Sequence, residues 1–470
     1  MKEPRLSPTL MRGLLLLLAA TILAGLAPAA APLQLDEQLS HARTALVQGD
    51  APGALRALDT VLRLEPSLTM LHRPAAYAAL DANDPAGASS HLEQSLISHP
   101  GAPDLECLRL EARVRAGELA ALEPIPAACQ GSARLLRLRA QALIASGEVE
   151  LALAELETAL SLAPAEAEML QLRSILSAAL RPESALTAIL AARAAGADDP
   201  VLADLEALLR ASAGASAFES SMRSGQVFLK YGRFEEAALA FERAAGLQPT
   251  DTSAQAYLAF AQSPADPQAV VRLRAIRLRS PDMALPDLLE AMALRQGGTP
   301  SSAIPVLEAA LELEPGSPAL LAEMAAAQLS AGDLPQAARS YRLAAEAAGT
   351  DPAYWRLLAQ FSLHHGVDAA GLALPAARNA VALDPASAEG WDLLGHAHLL
   401  EGEVLLADRL LRTSIRLDPG SPASHYHLGL ARLSLADPAG ARAAFESVLR
   451  IDPEGAYAEL ARRSLETPAG

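Results

Sequence analysis

Aromatic residues are scarce in this chain, 3% of 470 positions, and strand-forming residues are sparse throughout. No stretch sustains the period-two alternation of apolar and polar side chains, which excludes a sandwich or barrel. No Gly-x-x-x-x-Gly-Lys or Gly-x-Gly-x-x-Gly loop is present, so the usual phosphate cradles are missing. No serine sits in a Gly-x-Ser-x-Gly elbow. Ser220-Ser221-Met222-Arg223 has no lysine at the spacing of a Ser-x-x-Lys site. Acidic pairs such as Glu235-Glu236 fall at expected helix starts, where they favour the helix dipole. These absences point away from an enzyme. There is also no dense basic stripe to offset a formal charge of −17, which argues against nucleic acid and anionic lipid as partners.

Half of the chain is apolar, mostly Ala and Leu, and its order is periodic. Residues 385–453 carry one pattern twice. The first copy reads Pro385, Trp391, Leu394, Gly395, Ala407, Leu411 and Pro419. The second follows 34 residues later with Leu428, Gly429, Ala441, Phe445 and Pro453. A fixed period of this length marks stacked repeats. Gly395 and Gly429 interrupt apolar helical stretches, a cost of about 1 kcal/mol each that is tolerated where a second helix must pass close. Ala407 and Ala441 would face that gap, with Leu411 and Phe445 packing toward the next unit. Pro419 and Pro453 end the second helix.

The frame recurs at Ala54, Leu58 and Pro66; at Ala88, Leu92 and Pro100; and at Ala140, Ala152, Leu156 and Pro164. Further units fall at Gly225, Phe228, Ala237, Phe241 and Pro249, then at Ala291, Ala303, Leu307 and Pro315. Leu321, Ala325, Ala337 and Tyr341 mark the next, and Trp355, Leu358 and Ala359 open one whose turn, His364 to Gly371, is about two residues long for the frame. Residues 101–130, 165–215 and 250–281 keep the frame poorly, and 165–215 is a candidate hinge.

These residues closely resemble the tetratricopeptide repeat family, with His398 at the usual tyrosine site and Leu411 at an aromatic one. The resemblance implies an all-α fold, a right-handed α-solenoid of stacked helix-turn-helix units. It implies partly degenerate repeats over 32–215, regular repeats over 216–455, and a capping helix and tail over 456–470. It also implies a concave groove that holds a peptide or a partner domain. The family pattern would place Arg356, Gln360, Glu389, Asp392, His396, Leu399, Tyr426, Leu430 and Leu433 on its wall, none of them required by the repeat's own packing. No Lys and Asn cluster suited to clamping a carboxylate terminus appears there. The implied role is a non-catalytic scaffold for a protein or peptide partner, with no cofactor; neither the partner nor the oligomeric state follows from the sequence.

The first 31 residues read as a signal peptide. Lys2, Arg5 and Arg12 precede the apolar run Gly13 to Leu26, and Ala27-Pro28-Ala29-Ala30-Ala31 offers a small-residue cleavage site. The run is short for a span of about 20 apolar residues. Export to a bacterial periplasm or the outside is therefore expected, with no membrane insertion after cleavage. The rival readings are an uncleaved inner-membrane anchor, making the chain a subunit of an envelope complex, and a periplasmic chaperone-like factor for unfolded or apo clients. Cys107 and Cys129 are the only cysteines, and in an exported chain they are expected to pair. Six of ten histidines lie within 364–427: His364, His365, His396, His398, His425 and His427. Residues two apart on a helix point about 200° away from each other, so neither His-x-His pair forms a metal site by itself, and no metal is expected.

Overall fold

The computed structural model describes residues 32–118, 125–212 and 214–466. The signal-type segment 1–31 lies outside the described residues. Within them are 25 α-helices and no strand. Twenty-two form eleven consecutive pairs, from Pro32–Gln48 with Ala51–Leu64 to Pro422–Ser434 with Pro438–Ile451. We call the first member of each pair the A helix and the second the B helix. Pro103–Arg115 and Pro200–Ala211 have no B helix of their own among the described residues, and Ala456–Glu466 follows the last pair.

Two local rules set the pair boundaries. Nine of the eleven B helices end at Leu64, Ser98, Leu162, Leu247, Arg279, Leu313, Leu383, Leu417 and Ile451, and a proline follows two residues later in each of these. The residue before proline is pushed out of the helical region, so the chain leaves the helix there. At the other end, four of the A-to-B turns pass through one left-handed residue and then a capping aspartate. Gly49, Asn83, Gly332 and Ala436 hold the positive φ. Asp50, Asp84, Asp333 and Asp437 follow them, each accepting a hydrogen bond from a backbone N–H three residues on. The long turn after His365 is absorbed differently. Gly366 and Asp368 both take positive φ, and Ala369–Ala373 forms one π-helical turn before the B helix Leu374–Leu383.

In three pairs the seam depends on an A-helix glycine, although its neighbour is not the expected alanine. A Cβ on Gly429 would lie within 2.7 Å of three carbons of the Phe445 ring, and one on Gly395 would lie 2.7 Å from Leu411 Cγ. Gly225 meets Phe241 in the same way. Leu411 and Phe445 thus cover their own A helix before they reach the next unit. Ala407 and Ala441 are buried beside them.

The chain divides into two compact units, residues 1–243 and 244–470. The division falls inside the helix Phe234–Leu247, beyond both the compositional boundary at 215 and the stretch 165–215. In the first unit, that stretch consists of the helices Ala167–Leu180, Leu186–Ala194 and Pro200–Ala211 with a 3₁₀ turn at Pro182–Ser184. Cys107 and Cys129 form a disulfide with Cα atoms 5.4 Å apart, joining the helix Pro103–Arg115 to the 3₁₀ turn Ala127–Cys129. In the second unit, Ala456–Glu466 buries Ala458 and Ala461, and Ala461 packs with Phe445 and Val448. This helix closes the last apolar face, which a repeat array needs at its end.

Candidate functional site: the A-helix wall of the second unit

The A helices Ala284–Gln296, Pro318–Ser330 and Pro352–His365 line an open cavity of about 490 Å³. Its wall includes Leu288 and Met292 from the first, Ala319, Ala322 and Ala326 from the second, and Ala353, Tyr354 and Leu357 from the third. Alanine at three positions of the middle helix leaves the backbone low, so the larger residues to either side stand above a trough. Beneath it, Glu323 forms a bidentate ion pair with Arg295, at 2.6 and 3.0 Å. Burial pushes the Glu323 carboxyl above its ordinary range, and the Arg295 guanidinium opposes that shift. Both carboxylate oxygens are satisfied, so the pair supports the trough without offering an unpaired charge.

Further along, the wall changes character. Glu389, Asp392 and His396 lie 70 residues after Ala319, Ala322 and Ala326 and occupy the same repeat positions. His427 Nδ1–H donates to Asp392 at 2.9 Å, and both side chains are buried. The His396 ring stacks on His427 with centroids 4.0 Å apart. Tyr426 and Tyr457 close the cluster, 5.5 Å from each other and 5.9 and 5.8 Å from His427. Burial, with the His427 ring adding to it and Asp392 opposing, lowers the His396 pKa from 6.5 to about 4.

Several expected wall residues therefore need correction. Asp392 is 6% exposed and held by His427 from the next A helix, so it is part of the stacking between repeats. Tyr426 and Leu430 pack against the cluster of Ala441, Phe445, Val448 and Ala461, and Leu399 against that of Ala407, Leu411 and Leu428. His396 is half-buried in the ring stack. Gln360, Glu389 and Leu433 remain exposed. Arg356 is half-buried, with Glu389 at 3.3 Å and Asp384 at 3.6 Å.

The remaining histidines have structural partners. His398 Nδ1–H donates to Glu403 at 2.8 Å. His425 Nε2–H donates to the Pro419 carbonyl at 3.1 Å, the bond that Trp391 Nε1–H makes to Pro385 and Trp355 Nε1–H to Gly349. His364 and His365 meet edge to face. Among the described residues, no group of three or more His, Cys, Asp or Glu is arranged to hold a metal ion.

One family model described as tetratricopeptide repeat matches residues 294–361, which include most of the trough, and another matches 202–252 and 405–456. The chain is a tetratricopeptide-repeat protein. No curated protein sequence matches it. Among solved structures, it is similar to YrrB, described as a tetratricopeptide-repeat protein with an unusual peptide-binding site. The identity is 18% over 41% of this chain and 97% of that one, with a TM-score of 0.34. It is similar to MamA from Desulfovibrio magneticus RS-1 at 22% identity over 42% of this chain and 97% of that one, TM-score 0.31. Yeast Tom70 is 14% identical over 92% of this chain and 96% of its own, TM-score 0.40. Tetratricopeptide repeats generally mediate protein–protein interaction.

Proposed function

We propose that the second unit holds an extended, apolar segment of a protein partner along its A-helix wall, and that the chain is a non-catalytic scaffold of a bacterial envelope complex. The observation that carries this reading is the trough: an open, alanine-floored cavity between three A helices, flanked by Leu288, Met292, Tyr354 and Leu357. Grooves of this kind take apolar anchors and gain specificity from a few polar groups at the rim. Gln360 and Glu389, both exposed beyond the trough, are candidates for that rim. The envelope assignment rests on the signal-type start and on the Cys107–Cys129 disulfide, which suits an oxidising compartment. No helix among the described residues is long and apolar enough to cross a membrane.

The test is crosslinking in the source cells, affinity capture, and mass spectrometry of bait and partners, with Ala322→Arg and Ala326→Glu beside the wild type. Both substitutions place charge in open space on the trough floor. One or two dominant partners, lost in both variants, are expected. Equal capture by the variants would sink the trough assignment. A broad set of unrelated clients would replace the scaffold with a chaperone-like role. The N-terminal peptide of the captured bait reads out signal cleavage in the same experiment.

A further inference from the structure

The chain carries a formal charge of −17, yet one cavity of the first unit is lined by more positive than negative charge. This open cavity of about 530 Å³ is bordered by Arg56, Asp59, Thr60 and Arg63 of the helix Ala51–Leu64, by His72 of His72–Asp81 and by His91 of Pro85–Ser98. Spacings of three and four residues put the first four on one helix face. Arg63 donates to Thr60 Oγ1 at 3.1 Å, which turns its guanidinium back over that face. Among the described residues neither Arg56 nor Arg63 forms an ion pair, whereas Arg73 on the next helix is paired with Asp104. The Asp59 carboxylate is engaged by His91 Nε2–H at 3.0 Å. His91 Nδ1 is therefore an acceptor, and His72 Nδ1–H donates to it at 3.0 Å. That leaves His72 Nε2 with a lone pair, and a proton can join it without breaking either bond.

We propose that this cavity binds a carboxylate between Arg56 and Arg63, and that binding draws one proton from solvent onto His72 Nε2. The planar guanidinium fork matches a carboxylate, and such charge-assisted bonds are the strong ones. With neutral rings the two guanidiniums outweigh Asp59 by one charge, which suits a monoanion better than a phosphate dianion. The Thr60 hydroxyl donates to the Arg56 carbonyl at 2.8 Å, so the donors to the ligand are the guanidiniums and His72. Burial, with His91 adding to it and Asp59 opposing, lowers the His72 pKa from its ordinary 6.5. The charged and titratable groups facing His72 are Arg56, Asp59, Arg63 and His91. A bound carboxylate offsets the guanidiniums and raises the His72 pKa. Affinity therefore rises as the pH falls through the bound-state pKa and levels off below the free-state one. The site belongs to the first unit and stands or falls independently of the trough in the second.

The test is titration of the full chain, labelled with ¹⁵N-histidine, at low salt and near neutral pH, read by imidazole nitrogen resonances. The probes are butyrate, a capped peptide carrying one glutamate, and inorganic phosphate. Saturable binding of butyrate or the peptide is expected, with His72 Nε2 moving from its lone-pair to its N–H position. The tighter of those two tells a free acid from an acidic protein segment as the natural source. His72→Gln assigns the resonance by its loss. Arg56→Gln and Arg63→Gln should each weaken binding about 10-fold or more, and Arg73→Gln should match the wild type. Arg56 and Arg63 are exposed, so their variants leave the core intact. No saturation at millimolar probe, unchanged affinity in Arg63→Gln, equal loss in Arg73→Gln, a His72 Nε2 that does not move on binding, or tighter binding of phosphate would overturn the proposal.

Discussion

Gly429→Ala sets two effects of known sign against each other. Alanine favours a helix interior over glycine by about 1 kcal/mol. At Gly429 the added methyl would lie within 2.7 Å of three carbons of Phe445, so the ring must withdraw. It has little space to do so, being 1% exposed and enclosed by Ala441, Val448, Ala461, Tyr426 and Tyr457. Overpacking of this kind costs about 1–3 kcal/mol, so with the helix gain subtracted the net expectation is a loss of up to about 2 kcal/mol. Gly246→Ala is the control: it also lies within a helix, no atom lies within 4 Å of its added Cβ, and it should gain about 1 kcal/mol. Ala291 opposite Leu307 shows the same contact with both partners changed. Gly429→Ala with Phe445→Leu should therefore recover stability, giving a coupling energy of about 1 kcal/mol or more in a double-mutant cycle. Repeat arrays open in parts, so hydrogen exchange of the helices Pro422–Ser434 and Pro438–Ile451 is a better assay than one melting temperature. Protection in Gly429→Ala equal to or above wild type, or no rescue by Phe445→Leu, would refute the seam argument.

Three further outcomes are expected. Acidification should weaken the second unit through His396: its lowered pKa contributes stability that is complete above 6.5 and lost as the pH falls toward about 4, a swing of about 3 kcal/mol. In His396→Gln, urea unfolding across that range should show a flatter profile, and an unchanged slope would contradict the assignment. Asp392→Ala strips the buried His427 Nδ1–H of its acceptor and should cost about 1–3 kcal/mol, read as an earlier melt of the C-terminal helices. Ala436 holds a φ of 56° at a turn position where Gly49 and Gly332 stand elsewhere. Ala436→Gly should stabilise by about 1 kcal/mol in chemical denaturation, and a loss would mean that the left-handed turn is not strained.

What the sequence made legible follows from how locally each feature is determined. Proline two residues past most B helices, and glycine under a large B-helix side chain, act within one repeat, and the 34-residue period exposes them. The wall was harder to read, because its residues meet across repeats. Asp392 and His427 are 35 positions apart, and nothing in either segment alone says that one accepts from the other. From sequence Asp392 therefore reads as a solvent-facing recognition residue, although stacking of successive A helices buries it. The trough is hidden in the sequence for the opposite reason. Ala319, Ala322 and Ala326 hold the positions of Glu389, Asp392 and His396, but alanine is common throughout this chain, and a missing side chain leaves no mark in a sequence.

The Asp392–His427 bond also bears on the order of the repeats. Near-identical units stacked in a row could slip by one unit or exchange with a second copy at little energetic cost. Arg356 holds, one repeat earlier, the place that Asp392 holds. A slip by one unit would set the His427 N–H against a guanidinium, a donor facing a cation where an acceptor is needed. The pair thus acts as a key between two particular units. Of the possible neighbours on that side, Ala388–Leu400 fits the His427 helix and Pro352–His365 does not.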